Sequence, residues 1–389
     1  MKPLRILYTL QSGRMGGAEH SLYFLLKTLN REKFKPEVLF FEAGGELEEK
    51  LAKMDIPTRI LGWNLKIQKT RWGRLTNPWA LVQAGLLLKR TARAFREYLA
   101  GHYQEVDLIH TNSWLVNNIV LMARVHQPVI WNVRDLNRPR LTKSLVEQAA
   151  RVVCVSEAVR ALIDDSAGGN AKFRVIHNGI DCEQFAPDSQ QRQEARKLMG
   201  LNAEHLVIGL FGRLTPLKGQ AFFLEATAEY LKQNPAVKVV LVGESLFGSM
   251  DHRSYLEQLV LELGLASQVI FMGYQKEIPT LLNGLDVYVH PTTLRDAFPR
   301  ATLEAMACAV PTLAASLGGI VEQINHGEDG LLFTPNDQTS LLAALQKLIS
   351  EHGLRKQLGQ QGRQSVLKQF PLETKTREME KIYLEVAGS

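Results

Sequence analysis

Short apolar runs alternate along this chain with stretches in which apolar residues recur every three or four positions. The first run, Arg5–Leu10, is followed by a glycine loop at residues 11–17 and then by leucines at helical spacing. That order predicts a strand, a loop and a helix. Six further runs in the first half predict strands: Val38–Phe41, Thr58–Leu61, Val106–His110, Val129–Val133, Val152–Val155 and Phe173–Ile176. Because amphipathic stretches separate them, these segments are typical of a parallel α/β domain.

A polar, charge-rich segment between His177 and Ala203 interrupts this alternation and predicts no more than one short helix. Since a chain of 389 residues exceeds the size of one hydrophobic core, we expect two domains. Strands are predicted again at Val207–Phe211, Val237–Val242, Val269–Met272, Val287–His290 and Thr312–Ala314. The tail from residue 338 predicts helices divided at Gly353 and Pro371. The predicted division is a first domain at 1–185, a linker at 186–201, a second domain at 202–370 and a last helix at 371–389.

Composition narrows the class of protein. Hydrophobic residues make up 45% of the chain and charged residues 22%, which is ordinary for a globular protein and argues against a disordered one. The 3 cysteines lie far apart and predict neither a disulfide framework nor a zinc site. The first apolar run ends at Leu10, and no later run approaches the roughly 20 residues of a membrane-spanning helix. We therefore expect a cytoplasmic protein that is at most peripheral to the inner face of a membrane.

Positive charge is concentrated in the N-terminal half. Residues 1–185 carry 27 Lys and Arg against 18 Asp and Glu, whereas the remainder is net negative. Basic residues without any acid occupy the segment from Arg59 to Arg96, with Trp63, Trp72 and Trp79 among them. Nucleic acid, an anionic lipid surface or a phosphorylated substrate would each attract such a segment. Leucines beside its cations favour a membrane surface or lipid-linked acceptor over nucleic acid, with packing against the domain core as the alternative.

A glycine-containing segment follows the first strand of the second half. This segment, GRLTPLKG from Gly212 to Gly219, lies between a predicted strand and a predicted helix. Backbone N–H groups at a helix start favour an anion, and Arg213 and Lys218 add a guanidinium fork and a compact ammonium. The order of residues is not that of a Walker loop. The segment predicts a diphosphate site, and a strand-to-helix turn with solvated charges is the alternative.

A second polar segment, DAFPRATLE, runs from Asp296 to Glu304. Pro299 suits the first turn of a helix, where its missing N–H is not needed. Asp296 would then lie in the loop before the helix and Glu304 about one and a half turns inside it. Each carboxylate can accept bidentate hydrogen bonds from neighbouring hydroxyls. Together with Arg213 and Lys218 of the Gly212–Gly219 segment, the two carboxylates indicate a site for a sugar nucleotide.

These two segments, with VCVSEAVR from Val153, HNGID from His177 and GGAE from Gly16, resemble glycosyltransferase family 4 from Arg5 to about Phe333. The resemblance implies the GT-B fold, in which two Rossmann-like, doubly wound domains face across a cleft. It also implies a hexosyltransferase that moves a sugar from a nucleotide-diphosphate sugar to a glycan or lipid-linked acceptor, with retention at the anomeric carbon. The first domain would bind the acceptor and the second the donor, and the last helix would cross back to the first domain.

The resemblance also implies a role for each residue of the two segments. Arg213 and Lys218 would hold the donor diphosphate, Asp296 the hydroxyls of the donor sugar, and Glu304 the ribose hydroxyls. Backbone groups of three neighbouring residues would surround the sugar and phosphate: Phe298, Pro299 and Arg300. Further donor contacts are expected from Gly212, from the glycine loop at Gly16 and Gly17, where backbone can approach a diphosphate, and from Tyr274 beside the base.

Two positions depart from the family pattern. Asp296 stands where glutamate is usual, and its shorter side chain puts the identity of the donor sugar in doubt. Arg134 stands where many relatives have histidine; since arginine cannot act as a general base, we expect it to stabilise charge, with pairing to Asp135 or Glu19 as the alternative. His110 ends a predicted parallel strand, where ligand crevices open. It is a further catalytic candidate, and a hydrogen-bonded structural histidine is the alternative.

Other classes of protein are less well supported by the residues. The spacing of Gly13, Gly16 and Gly17 does not match the dinucleotide-binding pattern, which disfavours a dehydrogenase. No cluster of His, Cys, Asp or Glu has metal-ligand spacing, so we expect neither a metal nor a cofactor. Two alternatives remain: a sugar-nucleotide-binding protein that has lost catalysis, and another GT-B enzyme such as an epimerase or phosphorylase.

Overall fold

The chain forms two compact units, each with its own parallel sheet. The computed structural model describes residues 2–62, 78–102, 106–136, 142–164, 171–245 and 252–388. Unit 1 consists of Met1–Gly179 together with Leu372–Ser389, and unit 2 consists of Ile180–Pro371. The end of the chain thus returns to the first unit.

The sheet of unit 1 is parallel throughout its described strands. These are β1 (Leu4–Leu10), β2 (Phe34–Phe40), β3 (Thr58–Ile60), β4 (Leu108–Thr111), β5 (Val129–Val133), β6 (Arg151–Cys154) and β7 (Phe173–Val175). They pair in the order β3-β2-β1-β4-β5-β6-β7. The order reverses between β1 and β4, which pair side by side. In doubly wound sheets the crevice at the carboxyl ends of such strands is the usual ligand site.

Helices cover both faces of this sheet. Those described are α1 (Gly17–Thr28), α2 (Glu46–Ala52), α3 (Pro78–His102), α4 (Trp114–Met122), α5 (Thr142–Gln148), α6 (Glu157–Ile163) and the last helix of the chain, α14 (Leu372–Ala387). On one face, α1, α2 and α14 bury a core that includes Leu22 and Met379. On the other, α3 and α4 bury Phe95 and Ile119. Burial on both faces explains why the strands are apolar runs without alternation.

Unit 2 repeats this architecture. Its described strands are β8 (Leu206–Phe211), β9 (Val237–Val242), β10 (Val269–Gly273), β11 (Val287–His290), β12 (Thr312–Ala315) and β13 (Leu331–Phe333). They pair in parallel in the order β10-β9-β8-β11-β12-β13, which reverses between β8 and β11. The described helices are α7 (Ser189–Leu198), α8 (Gln220–Gln233), α9 (His252–Glu262), α10 (Ile278–Asn283), α11 (Arg300–Ala307), α12 (Gln338–Ser350) and α13 (His352–Gln369).

All twelve predicted strands are present in the structure, with ends that differ by at most a few residues. Strand β13 was missed because three residues are too few to display a period. The first break in the C-terminal tail was placed wrongly at Gly353. That glycine lies in the first turn of α13, and the chain breaks at Glu351 instead.

The segment predicted as a linker, 186–201, is part of unit 2. It contains α7, which is capped by Asp188: the Asp188 carboxylate accepts from the backbone N–H groups of Gln190 and Gln191. Arg192 and Arg196 then bind the carboxylate of Asp286, each at 2.6 Å. This anchor is invisible in the sequence because Asp286 lies some ninety residues further on. The units divide at Gly179 and Ile180.

The basic segment Arg59–Arg96 lies partly outside the described residues, which omit 63–77 and hence Trp63 and Trp72. In the described part of α3, Leu87 and Leu88 pack against the core of unit 1, as the alternative reading proposed. Leu86 is 52% exposed. Lys89 and Arg90 are exposed as well. Along the described stretches of the chain, we find no helix with the length and hydrophobicity that a bilayer crossing requires.

Candidate active site

Two close backbone approaches shape the carboxyl edge of the unit 2 sheet. A Cβ on Gly243 would lie 1.9 Å from the carbonyl oxygen of Gly212, and a Cβ on Gly219 would lie 1.8 Å from that of Pro291. Gly219 has a φ of +74°, a conformation that favours glycine. The carbonyl of Leu217 accepts from the backbone N–H of Thr293 at 3.1 Å. The predicted diphosphate segment is thereby fixed to the loop after β11.

This contact brings together the two motifs of the sequence. The ammonium of Lys218, in a 3₁₀ turn at Pro216–Lys218, forms an ion pair with the carboxylate of Asp296. Both side chains are largely buried, with exposed fractions of 22% and 18%. Burial alone would raise the pKa of Asp296, but the Lys218 charge and the nearby His290 hold the pKa well below its usual range. Asp296 is therefore a carboxylate at neutral pH.

A residue that the sequence analysis missed completes this cluster. His290 ends β11, and its Nε2 lies 3.5 Å from Oδ2 of Asp296. Its Nδ1 faces the hydroxyl of Tyr288 at 3.3 Å. Burial lowers the pKa of His290, with Lys218 adding to that effect. The imidazole is thus neutral at pH 7, and its position at the carboxyl end of a parallel strand was the signal that could have found it.

Glu304 lies in the fifth position of α11 and contacts the residue one turn earlier. Its Oε1 is 3.3 Å from Nε of Arg300. Burial raises the pKa of Glu304, and the Arg300 charge opposes that rise. The hydroxyl of buried Tyr288 senses both carboxylates, since burial and then Glu304 and Asp296 raise its pKa. The two acidic residues of the second motif therefore both lie near Tyr288.

The loop between Asp296 and α11 differs in detail from its prediction. Pro299 precedes the helix as its N-cap, with φ −64° and ψ 124°, and Arg300 is the first helical residue. The Pro299 carbonyl accepts from Nε2 of Gln323 at 2.9 Å, so an interior contact occupies a group that we expected beside the sugar. Phe298 is 4% exposed and packs edge to face on Phe370. Both residues shape the loop from within unit 2.

The remaining predicted residues of unit 2 lie at the surface of the same sheet edge. Arg213 follows β8 and Gly212, and its side chain is exposed. Its carbonyl accepts from Nε2 of Gln220 at 3.0 Å, which ties the loop to the start of α8. Tyr274 follows β10 and is 51% exposed.

The two predicted glycines of unit 1 lie at the start of α1. Gly16 is the N-cap of α1 and has no side chain to cap the helix. The carboxylate of Glu19 folds back toward Gly16, where an added Cβ would lie 2.9 Å from Oε2 of Glu19. Gly17 has open space around its Cα. Burial raises the pKa of Glu19, while hydrogen bonds from backbone N–H groups and the charge of Arg134 oppose the rise.

Arg134 follows β5, and its side chain reaches Asn178, next to the boundary between the units at Gly179. Its Nη1 donates to Oδ1 of Asn178 at 2.9 Å, and Oγ of Ser21 donates to the same oxygen at 3.0 Å. Asn178 is 9% exposed. Arg134 therefore binds the amide of Asn178, a partner that the sequence analysis did not foresee. It also interacts electrostatically with Glu19, which the sequence analysis named as an alternative partner.

His110 lies in a different environment from the one expected of a catalytic residue. It is 0% exposed, and its Nδ1 is 2.7 Å from the hydroxyl of Tyr383 on α14. Its Nε2 is 3.1 Å from the amide of Asn132. Burial and the Arg134 charge lower the pKa of His110 to about 3. Both ring nitrogens thus have partners inside the unit, which favours the alternative of a hydrogen-bonded structural histidine.

Metal chemistry has no evident centre in the described part of either unit. Among those residues, no three His, Cys, Asp or Glu side chains are grouped as metal ligands would be. Lys218 and Arg213 are the cations of the predicted diphosphate segment. That the reaction needs no metal stays a prediction.

Comparison with known proteins agrees with this architecture. Residues 15–184 match the family model described as Glycosyltransferase Family 4, and residues 191–365 match the one described as Glycosyl transferases group 1. The D-inositol 3-phosphate glycosyltransferase of Stackebrandtia nassauensis is 31% identical over 319 residues, covering 80% of this chain and 69% of that protein. The protein of the same name from Salinispora arenicola is 28% identical and covers 72% of this chain. The matches to the Salinispora arenicola protein and to two mycobacterial proteins of the same name cover 59% to 67% of the lengths of those relatives.

Solved structures extend the comparison to the whole chain. Anabaena HepE, in complex with UDP and glucose, is 26% identical with a TM-score of 0.81, over 98% of this chain and 100% of that one. Two Rossmann-like units with parallel sheets, together with this structural similarity, place the chain in the GT-B class of glycosyltransferases. The chain belongs to glycosyltransferase family 4. The predicted fold class and family are thereby confirmed.

Proposed function

We propose that the protein transfers a sugar from a nucleotide-diphosphate sugar to a glycan or lipid-linked acceptor. The ion pair between Lys218 and Asp296 carries this proposal, because it joins the cationic motif to the acidic motif although 78 residues separate them in sequence. A cation for phosphate and acceptors for hydroxyls at one sheet edge suit a sugar nucleotide. We assign donor binding to unit 2 and acceptor binding to unit 1.

Each side chain then has a distinct task in unit 2. Lys218 and Arg213 stabilise the negative charge that grows on the leaving diphosphate, which is where preorganised cations accelerate a reaction most. Asp296 accepts hydrogen bonds from hydroxyls of the donor sugar, and its ion pair with Lys218 orients that ammonium. Glu304 accepts hydrogen bonds from the ribose hydroxyls, and the Arg300 charge opposes the rise in the pKa of Glu304 that burial causes.

The bond changes balance without a metal or a protein base. The bond between the anomeric carbon and the diphosphate oxygen breaks, and an acceptor hydroxyl oxygen bonds to the same face of that carbon. The hydroxyl proton passes to the departing diphosphate. Arg134 stabilises negative charge in this step, since a guanidinium does not accept a proton. Anabaena HepE was solved with UDP and with UDP-glucose, so a uridine diphosphate sugar is the donor to test first.

Replacement of Lys218 or Arg213 by alanine tests the assignment. A charge-assisted contact to phosphate is worth about 1.5–3 kcal/mol, so each variant should lose roughly 10- to 100-fold in kcat/KM for the donor. Lys232→Ala is the control, because Lys232 forms only an exposed pair with Glu229. Thermal shifts with UDP-, GDP- and ADP-sugars identify the donor beforehand. Wild-type turnover in both site variants would contradict the proposal, and donor binding without transfer or hydrolysis would favour the non-catalytic alternative.

The exposed cations of α3 support a second, finer part of the proposal, namely contact with an anionic membrane surface or lipid-linked acceptor. Each basic residue near such a surface adds about 1 kcal/mol. Because Leu87 and Leu88 pack inside unit 1, attraction here is electrostatic rather than insertion of a leucine face. The cations to be tested are Lys89, Arg90, Arg93 and Arg96; Arg93 also pairs with Glu97, and Nε of Arg96 also donates to the carbonyl of Ala123 at 2.6 Å.

Co-sedimentation with vesicles measures this attraction. Binding should rise with the fraction of anionic lipid, fall with salt and drop when the four α3 cations are replaced by Gln. The control removes four exposed cations from unit 2 instead: Lys197, Lys232, Lys347 and Lys356. Equal loss in both quadruple variants would point to net charge alone, and no binding at low salt would leave a water-soluble acceptor as the better account.

A further inference from the structure

A continuous chain of buried hydrogen bonds links α14 to Arg134 within unit 1. The hydroxyl of Tyr8 lies 3.1 Å from that of Tyr383, which in turn lies 2.7 Å from Nδ1 of His110. Nε2 of His110 and Nη2 of Arg134 lie 3.1 Å and 3.0 Å from the amide of Asn132. We infer that Tyr383 is a positioning residue, which fixes the orientation of Arg134 through His110 and Asn132. The inference rests on the role proposed for Arg134.

The donors and acceptors of this chain agree in only one direction. The guanidinium of Arg134 only donates, so the group of Asn132 that faces it must be the amide oxygen. That oxygen can then accept from His110 only if Nε2 carries the proton. Nδ1 of the neutral imidazole is then the acceptor, and the Tyr383 hydroxyl donates a hydrogen bond to it. The Asn132 NH₂ group donates to the carbonyl of Val153 at 3.3 Å.

Burial makes this arrangement strict. Tyr8, Tyr383 and His110 are each 0% exposed, and Asn132 is 2% exposed. Solvent therefore cannot replace a missing donor or acceptor at these atoms, and a buried polar group without a partner is costly. Without the Tyr383 hydroxyl, only the contact of Arg134 with Asn132 still favours a proton on Nε2 of His110, so the state with the proton on Nδ1 gains population. Nε2 would then accept, Asn132 would turn its NH₂ group toward it, and Arg134 would lose its contact.

The far side of Arg134 shows why its orientation matters. Nη1 of Arg134 donates to Oδ1 of Asn178, and the same oxygen also accepts a hydrogen bond from Oγ of Ser21 in α1. One guanidinium nitrogen thus depends on Asn132 and the other on Asn178. Loss of the Asn132 contact removes one of the hydrogen bonds that orient the guanidinium. A group that acts by stabilising charge is effective only when it is held in place beforehand.

The protonation state of His110 tests the first half of the inference without any enzyme assay. The chain has 10 histidines, so the ring signals of His110 are assigned by their loss in His110→Gln in the full-length protein with ¹⁵N-labelled histidine. The wild type should show a proton on Nε2 alone. In Tyr383→Phe, a population with the proton on Nδ1 should appear. A wild-type ring protonated on Nδ1, or an unchanged ring in Tyr383→Phe, would overturn the inference.

The second half is tested by kinetics with a matched control. Tyr383→Phe should lower kcat for transfer about tenfold, with the donor KM unchanged, since a tenfold loss corresponds to one well-placed interaction. Thr376→Val is the control, because it also removes a buried hydroxyl of α14, one that contacts Thr28 at 2.6 Å and not His110. Thr376→Val should lower thermal stability similarly and leave kcat and the His110 signals unchanged.

A double-mutant cycle with Arg134→Lys separates this inference from the proposed function. If Tyr383 acts through Arg134, the two losses in kcat should be far from additive. Full additivity, or a fall in kcat that follows thermal stability in Tyr383→Phe and Thr376→Val alike, would reject the positioning role. If Arg134→Lys retains full activity while Lys218→Ala does not, the role proposed for Arg134 fails while donor binding by unit 2 stands.

Discussion

At the scale of single residues, the two carboxylates of the acidic motif have different surroundings. Asp296 pairs with Lys218 and lies near neutral His290, whereas Glu304 faces Arg300 on its own helix. The shorter side chain at position 296 is thus accommodated by a lysine and a histidine that hold it. The difference in partners predicts a difference in function between the two acids.

We expect Glu304→Gln to weaken the binding of free nucleoside diphosphate by roughly tenfold or more, because a hydrogen bond to a charged group is worth about 1.5–3 kcal/mol. Asp296→Asn should leave that affinity within about twofold and lower kcat for sugar transfer, since Lys218 stays available to the diphosphate. Calorimetry with free nucleotide and steady-state kinetics measure the two effects. Equal losses of affinity in both variants would contradict this division.

Protonation of His110 predicts how unit 1 responds to acid. Its pKa in the folded state is about 3, below the ordinary value of roughly 6.5. Between these values the unfolded chain binds more protons, so stability is lost as pH falls from about 6.5 toward 3, by at most about 1.4 kcal/mol per pH unit.

Urea denaturation of wild type and His110→Gln at a series of pH values measures this dependence. The variant should be less stable at pH 7, because Tyr383 and Asn132 lose their partner, yet its stability should fall less steeply below pH 6.5. Replacement of the exposed His352 by Gln is the control. Parallel curves for wild type and His110→Gln would show that the histidine does not govern the acid response.

At the scale of elements, the loop between β8 and α8 depends on one glycine. Gly219→Ala would place a methyl group where only 1.8 Å separates the ideal Cβ from the Pro291 carbonyl, in a left-handed conformation. Gly200→Ala is the control, since its φ of +68° is similar and nothing lies within 4 Å. The conformation alone costs about 1–2 kcal/mol in either variant.

We therefore expect both glycine variants to lose stability, but only Gly219→Ala to displace Lys218 and weaken donor affinity. Thermal denaturation and calorimetry with the donor separate the two contributions. Equal donor affinity in Gly219→Ala and Gly200→Ala would mean that the approach to Pro291 does not position Lys218.

At the scale of the whole molecule, the two units differ in how their cores are assembled. The buried hydrophobic residues described in unit 2 come from one continuous stretch of the chain, 180–370. Unit 1 instead needs the end of the chain, because Met379, Ile382, Tyr383 and Val386 of α14 join its core and are at most 4% exposed. Burial of four such side chains contributes about 6–12 kcal/mol, comparable to the stability of a whole domain.

A fragment of residues 180–371 should accordingly fold alone and unfold cooperatively. Removal of residues 372–389 from the full chain should unfold unit 1 and leave unit 2 folded, whereas removal of only 388–389 should change neither. Hydrogen exchange resolved along the chain distinguishes the units. Protection of β1 and β4 that survives without α14 would contradict this account.

Much of this architecture could be predicted because it rests on local patterns. Apolar runs such as Val129–Val133 coincide with strands, since a strand buried on both faces must be apolar along its length. The motif at Gly212–Gly219 was placed correctly between a strand and a helix, and Asp296 and Glu304 were placed correctly before and within α11. Their chemistry is carried by residue type and spacing, which the sequence states directly.

What only the tertiary structure decided depends on partners distant in sequence. Asp286 anchors α7, which lies in the predicted linker, to unit 2, and Tyr383 contacts Nδ1 of His110, a residue predicted as a catalytic candidate. His290 joined Asp296 and Lys218 only when β8 and β11 paired. The physical reason is the same in each case: hydrogen bonds and ion pairs act over a few ångströms, whereas spacing along a chain reports only on neighbours in sequence. The sequence by itself determined two α/β units and their family; the fold decided which of its polar residues meet.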